Sequence, residues 1–223
     1  MKCMIVGFTS SISGAIRNKF SENGYEIVTA CYGARSENPC DISFSLSLKG
    51  ELIFDEEKYL ENLDAVVFCI GRLYGTSIVD YSDEDIQEAF NANIVNVIKI
   101  IKHLLPTLND KASVVFIGSI SASAGSFDEI YSSSKSALYG LTKSLGKNSK
   151  RGIRFNCVSP GLIEDSAMCT KFSQEIINKH VKETPTGSLI RAGDIASILF
   201  DICQPHWASL NGQIIDVNGG RYV

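Results

Sequence analysis

Short apolar runs alternate along this chain with longer stretches of helical spacing, and that alternation restricts the fold more than any other feature. Met4 to Val6 reads as a strand. Ser13 to Asn23 reads as a helix, with Ala15, Ile16 and Phe20 on one face and Asn23-Gly24 as its stop. Glu26 to Cys31 is a second strand, Cys40 to Ile42 a third short piece, and Asp64 to Ile70 a strongly apolar strand closed by Gly71. Asp83 to Leu105 is predicted as one long helix, capped by Asp83 and stopped by Pro106. Ser113 to Ile117, Arg154 to Val158 and Gln213 to Val217 are further strands, and Tyr131 to Asn148 and Asp194 to Cys203 further helices. Strands that are apolar throughout are buried on both faces. The expected fold class is therefore α/β, a doubly wound parallel sheet in a single domain over residues 1–223. Such sheets bind ligands beyond the carboxyl ends of their strands, where the strand order reverses.

Composition excludes several classes of function. A net charge of −4 gives no reason to expect nucleic acid or an anionic membrane as partner. No apolar run approaches the roughly 20 residues of a membrane span. The N-terminus lacks a signal-peptide layout, so a cytoplasmic protein is expected. Seven cysteines, an odd number set mostly in apolar runs, suit reduced thiols better than a disulfide framework. With three histidines and no Cys-x-x-Cys pair, metal binding has no support.

The chemistry centres on Ile130 to Lys135, which reads Ile-Tyr-Ser-Ser-Ser-Lys. Four residues apart, Tyr131 and Lys135 share one face of a helix. An ammonium near a phenol favours the phenolate, lowering a pKa that is about 10 when unperturbed. Such a tyrosine can trade a proton with an alcohol or carbonyl near neutral pH. Ordinary exposed helical pairs share this spacing, so the loops at the same sheet edge decide its meaning. Gly7 to Gly14 combines glycine with small hydroxyl residues, a composition that can aim N–H groups and a helix N-terminus at a pyrophosphate, although a plain strand–turn–helix joint uses similar residues. Cys69-Ile70-Gly71, Gly118-Ser119-Ile120-Ser121 and Ser159-Pro160-Gly161 follow the next strands.

Taken in order, these segments resemble the short-chain dehydrogenase/reductase family from Met4 to about Gly220, most closely its single-domain branch similar to 3-oxoacyl-[acyl-carrier-protein] reductase. Phe90-Asn91-Ala92-Asn93-Ile94, Phe116-Ile117-Gly118-Ser119, Tyr131 with Lys135, Arg154 to Gly161, Gly193 to Ala196 and Asn211 to Gly220 carry the likeness. The resemblance implies a Rossmann fold and an NAD(P)-dependent oxidoreductase that interconverts a carbonyl and a secondary alcohol by hydride transfer. It places catalytic residues at Asn93, Ser119, Tyr131 and Lys135, with Ser121 as a substitute for Ser119. Tyr131 would be the general acid or base, Lys135 would lower its pKa and hold the nicotinamide ribose, Ser119 would polarise the substrate oxygen, and Asn93 would tie a water to Lys135. Cofactor contacts are implied at Gly7, Thr9, Ser10, Ser11, Ile12, Arg35, Asp41, Ile42, Cys69, Ile70, Gly71, Tyr131, Lys135, Pro160, Gly161 and Ile163. A homodimer or homotetramer is also implied, through the two long helices; the apolar face of Ile94, Val97, Ile98 and Ile101 fits this, although the sheet itself could cover it.

The chain departs from the family pattern in places. Ser11 and Ser13 stand where the first loop usually has its second and third glycines, and a serine Cβ narrows the approach to a pyrophosphate. Glu164-Asp165 replaces a threonine after Pro160-Gly161. Neither Cys31 nor Tyr32, at the end of strand two, is charged, but Arg35 follows and favours NADP over NAD. Residues 162–189 form the expected substrate loop, and its many charges favour a polar small-molecule substrate. Two other readings remain: a catalytically silent dinucleotide-binding or scaffolding relative, and an epimerase or dehydratase that uses transient oxidation.

Overall fold

The computed structural model describes residues 1–8, 10–32, 40–46 and 52–222. β1 (Lys2–Val6) leads into α1 (Ser11–Glu22), and β2 (Glu26–Tyr32) pairs parallel with β1. β3 (Ile42–Leu46) lies parallel to β2, and β4 (Leu52–Phe54) returns antiparallel at the sheet edge. The chain then crosses over, so that β5 (Leu63–Phe68) pairs with the other side of β1. Next come α2 (Asp83–Phe90), one wide π-helical turn at Asn91–Val95, and α3 (Asn96–Leu104). β6 (Leu108–Ile117), the short α4 (Ser121–Ala124), α5 (Glu129–Asn148) and β7 (Arg154–Pro160) follow. α6 (Gln174–Glu183), α7 (Ala192–Cys203) and β8 (Ile214–Val217) complete the fold. The strand order is β4-β3-β2-β1-β5-β6-β7-β8, which puts the switch point between β1 and β5.

Strand alternation sorts the core into two layers. Cys3 and Ile5 of β1 face Ile16 and Phe20 of α1 and Ile195 and Leu199 of α7. Met4 and Val6 face the opposite side, with Ile100 and Leu104 of α3 and Leu138 of α5. Because neighbouring positions in β1 serve different layers, every position from Cys3 to Val6 must be apolar. This is the physical source of the apolar runs read from the sequence.

Several expectations need correction. The long helix is broken by the wide turn at Asn91–Val95, and its cap is Ser82, whose hydroxyl accepts the N–H of Asp85 at 3.1 Å. Asp83 instead sits in the first turn, where the helix dipole favours an acid. Strand three begins at Ile42, after Asp41 has turned its carboxylate back to Thr29. β4 and α6 were not foreseen. Cys31, near the end of β2, and Cys40, two residues ahead of β3, form a disulfide with Cα atoms 6.1 Å apart. The expectation of reduced thiols fails at this pair, whereas Cys3, Cys69, Cys157, Cys169 and Cys203 are free. Ile94, Val97 and Ile101 are buried in the chain's own core, and Ile98 alone of that face is exposed. Among the described residues no helix is long and apolar enough to cross a membrane.

Candidate active site

The carboxyl ends of β1, β5, β6 and β7 open into one cavity of about 360 Å³. At the switch point Gly7 has φ +89°, and a Cβ there would stand 3.1 Å from the backbone of Cys69. Only glycine takes that conformation freely, so the turn after β1 is fixed at this residue. α1 then starts on a capping box: the Ser10 hydroxyl accepts the N–H of Ser13 at 3.2 Å, and the Ser13 hydroxyl accepts the N–H of Ser10 at 3.0 Å. Ser13, standing in the third glycine's place, is thus turned inward and buried. Its Cβ does not face the cavity mouth, which Ser10 and Ile12 line instead. The N–H groups of Ser11 and Ile12 belong to the first turn, where a helix has no acceptor of its own to offer.

α5 carries the reactive pair. Asp128 caps it, accepting the N–H of Tyr131 at 2.8 Å, and the same carboxylate accepts the N–H of Gly75 at 2.9 Å and the hydroxyl of Tyr81 at 2.8 Å. The segment after β5 is therefore pinned to the start of the helix. One turn on, Lys135 is buried, and its ammonium donates to the carbonyl oxygens of Ile70 at 2.8 Å and Ile117 at 2.9 Å. Ile117 ends β6 and Ile70 stands two residues beyond β5, so the cation is held at the carboxyl edge of the sheet. A Cβ at Gly71 would lie 3.0 Å from Lys135 Nζ, so glycine here leaves room for that side chain. Burial lowers the Lys135 pKa to about 8.

Tyr131 lines the same cavity and is also buried. Burial pushes its phenol up to about 12, and a hydrogen bond with Ser119 offsets only part of that rise. The sequence reading expected Lys135 to lower this pKa. In the folded chain the ammonium stands 5.9 Å from the ring centroid, and the shift runs upward, set first by desolvation and added to by Asp128 and Tyr139. The phenol is a protonated acid across the neutral range. Ser119 is half-buried at the end of β6, and its hydroxyl accepts the N–H of Ser121 at 3.2 Å. Ser121 lines the cavity as well.

The fold gathers the expected residues unequally. Ser10, Ile12, Cys69, Ile70, Gly71, Ser119, Tyr131, Lys135, Pro160, Gly161 and Ile163 line the cavity. Asn93 does not: within the wide turn its Oδ1 accepts the N–H of Arg72 at 2.6 Å, and its Nδ2 donates to Arg72 O and to Ser134 Oγ, both at 2.9 Å. That occupied side chain supports the loop after β5. Asp41 and Ile42 stand apart too, Asp41 bonded to Thr29 and Ile42 in the core. Thr9 and Arg35 lie outside the described residues. Sequence reasoning missed Asp128, although an Asp three residues before Tyr131 is a cap signature. It also missed Arg221 and Tyr222, which line the cavity from beyond β8 with no local signal, whereas Ser166 and His180, which line it too, fall within the expected substrate loop.

A mostly parallel sheet with a glycine-bounded cavity at its switch point defines a doubly wound, Rossmann-type α/β protein. A family model described as enoyl-(acyl carrier protein) reductase matches residues 7–221, and the chain belongs to the short-chain dehydrogenase/reductase family of oxidoreductases. It is 28% identical over 236 residues to carbonyl reductase family member 4 of Xenopus laevis, covering 98% of this chain and 96% of that one. Against the 3-oxoacyl-[acyl-carrier-protein] reductase FabG of Aquifex aeolicus it is 25% identical, covering 98% of this chain and 96% of FabG. The match to the uncharacterized oxidoreductase YhdF of Bacillus subtilis, 32% identical, takes in 66% of this chain and about half, 52%, of YhdF. Among solved structures, a short-chain dehydrogenase/reductase from Brucella melitensis shares the fold with a TM-score of 0.88 at 24% identity, covering 100% of this chain and 96% of that one.

Proposed function

We propose that this chain is an NADP-preferring oxidoreductase that interconverts a carbonyl and a secondary alcohol, with Tyr131 as its general acid. The observation that carries the proposal is the convergence of the Tyr131 phenol, the Ser119 hydroxyl and the Lys135 ammonium on one cavity at the switch point. The donor set suits a dinucleotide: first-turn N–H groups at Ser11 and Ile12 for the pyrophosphate, Gly71 for close approach, Lys135 for ribose hydroxyls, and Pro160, Gly161 and Ile163 beside the nicotinamide. When bound, that cofactor supplies the hydride.

The protein's own part is proton transfer and positioning. Ser119 donates a hydrogen bond to the substrate oxygen, and Tyr131 delivers its proton to that oxygen as negative charge builds there. A phenol held near 12 is protonated at neutral pH, the form that can donate to a carbonyl oxygen. Residues 162–189, which include α6, act as the substrate loop, and Met168, Phe172 and His180 bring it to the cavity wall. The preference for NADP rests on Arg35. Assembly as a homodimer or homotetramer belongs to the same proposal.

The test is a fluorescence titration of NADPH and NADH into the protein and into Arg35→Ala, followed by a carbonyl panel. Tight NADPH binding, weakened in the variant, with turnover on the panel is the expected result. Binding without turnover would favour a silent dinucleotide-binding relative. Binding of neither nucleotide would overturn the reading.

A further inference from the structure

The cavity wall carries one cation that proton transfer does not use. Arg221 follows β8 in a tight turn in which Asn218 accepts the N–H of Gly220 and donates to the carbonyl of Tyr222, both at 2.8 Å. Gly219 and Gly220 take φ of +64° and +83° to make that turn, and the Gly219 carbonyl accepts the N–H of Thr186 at 3.2 Å. The guanidinium is held in place as well, 5.2 Å over the ring of Tyr222 and paired through Nη2 with Glu183 at the end of α6. Its side chain is only 13% exposed, and the buried Nη1 has no hydrogen-bond partner among the described residues.

A buried guanidinium nitrogen without an acceptor is costly, and it points to an acceptor that arrives with a ligand. Glu183 does not neutralise the arginine alone, since Lys179 also approaches that carboxylate, at 3.9 Å. None of the described residues lining the cavity is acidic, whereas Lys135, His180 and Arg221 all line it. A small void of about 10 Å³ that Arg221 helps to line has room for one water at most, and Nη1 carries two N–H donors.

We propose that Arg221 binds an anionic group on the substrate, so that the carbonyl compound reduced here is a small carboxylic acid. Planar guanidinium groups grip carboxylates through paired N–H donors, with a strength and orientation that a neutral group does not match. A cavity of about 360 Å³ that must also admit a nicotinamide leaves space for a short acid. His180, stacked on Phe172 with ring centroids 6.2 Å apart, borders the same end. The inference rests on the oxidoreductase reading for the word substrate, but the anion site itself does not.

The experiment measures kcat/KM for pyruvate, acetoacetate and levulinate, each beside its methyl ester. Calorimetric titration of the protein alone with the three acids and with inorganic phosphate runs in parallel. The expected result is at least one acid preferred over its ester by about tenfold, worth about 1.4 kcal/mol. Arg221→Gln collapses that ratio through KM, Arg221→Lys restores part of it, and Glu183→Gln, which frees the guanidinium, tightens the acid. A merely structural strap would slow acid and ester alike and leave the ratio unmoved. Equal use of acid and ester, or acid binding indifferent to Arg221→Gln, overturns the proposal. So does calorimetry in which only phosphate binds. Acid binding that needs Arg221, without turnover of any carbonyl, would sustain the anion site and overturn the oxidoreductase reading instead.

Discussion

The buried carboxylate of Asp128 accepts the backbone N–H of Tyr131 at 2.8 Å and the hydroxyl of Tyr81 at 2.8 Å, so the residue that starts α5 also ties it to the segment after β5. Asp128→Ala removes the cap and leaves two further donors unpaired. The expected loss is about 2–4 kcal/mol of stability, read by urea denaturation. Asp128→Asn keeps one acceptor oxygen for the cap but turns its amide NH2 towards the Gly75 N–H, so it should recover only part of that loss. The negative charge of Asp128 also helps to raise the Tyr131 pKa, so the alkaline limb of the pH–rate profile should move down in Asp128→Asn.

Tyr131→Phe removes the proton donor and little else, since the phenol's hydrogen-bond partner is Ser119. Reduction should slow by about 10²–10⁴-fold, the range of general acid catalysis, with NADPH affinity held within about twofold. Stopped-flow single turnovers beside a fluorescence titration would check both halves.

Lys135 offers a paired pH test. With its pKa lowered to about 8, the ammonium discharges above that pH, and NADPH affinity should fall by up to about tenfold per pH unit beyond it. Stability moves the other way. Between about 8 and the unfolded value near 10.5, the unfolded chain holds a proton that the folded chain has lost, so this group makes stability rise with pH. Buried cysteines oppose it, since burial raises Cys69 to about 12 and the folded thiol stays protonated where the unfolded one ionises. The difference in urea midpoints between wild type and Lys135→Met, followed from pH 7 to pH 10, isolates the lysine.

The Cys31–Cys40 disulfide closes a short loop at the edge where β2 meets β3. Its reduction should cost roughly 2–3 kcal/mol, as expected for a loop of about ten residues. Alkylation of the denatured chain followed by mass spectrometry should label five cysteines before reduction and all seven after it. Seven labels without reductant would remove the bridge.

The register of apolar runs and helical faces was legible because it is local. Val66 and Val67 must both be apolar when a helix covers each face of β5, and that requirement shows in any window of a few residues. Family likeness placed Tyr131, Lys135 and Ser119 together, and the fold brings them to one cavity. The likeness did not foretell that Ser13 caps α1 from the inside, or that the Asn93 side chain is occupied by Arg72 and Ser134. Both outcomes depend on which way a side chain turns once its neighbours are in place.

From the sequence alone follow the parallel sheet, the edge at which it opens, and the residue types gathered there, because periodicity and strand ends are set by nearest neighbours in the chain. Tertiary structure decided the rest. Glu183 meets Arg221 across 38 residues, Gly75 meets Asp128 across 53, and Lys135 meets the carbonyl of Ile70 across 65. The protonation of Tyr131 belongs there too, since it turns on how much water the folded chain removes from the phenol, a quantity that exists only once distant segments have closed over it.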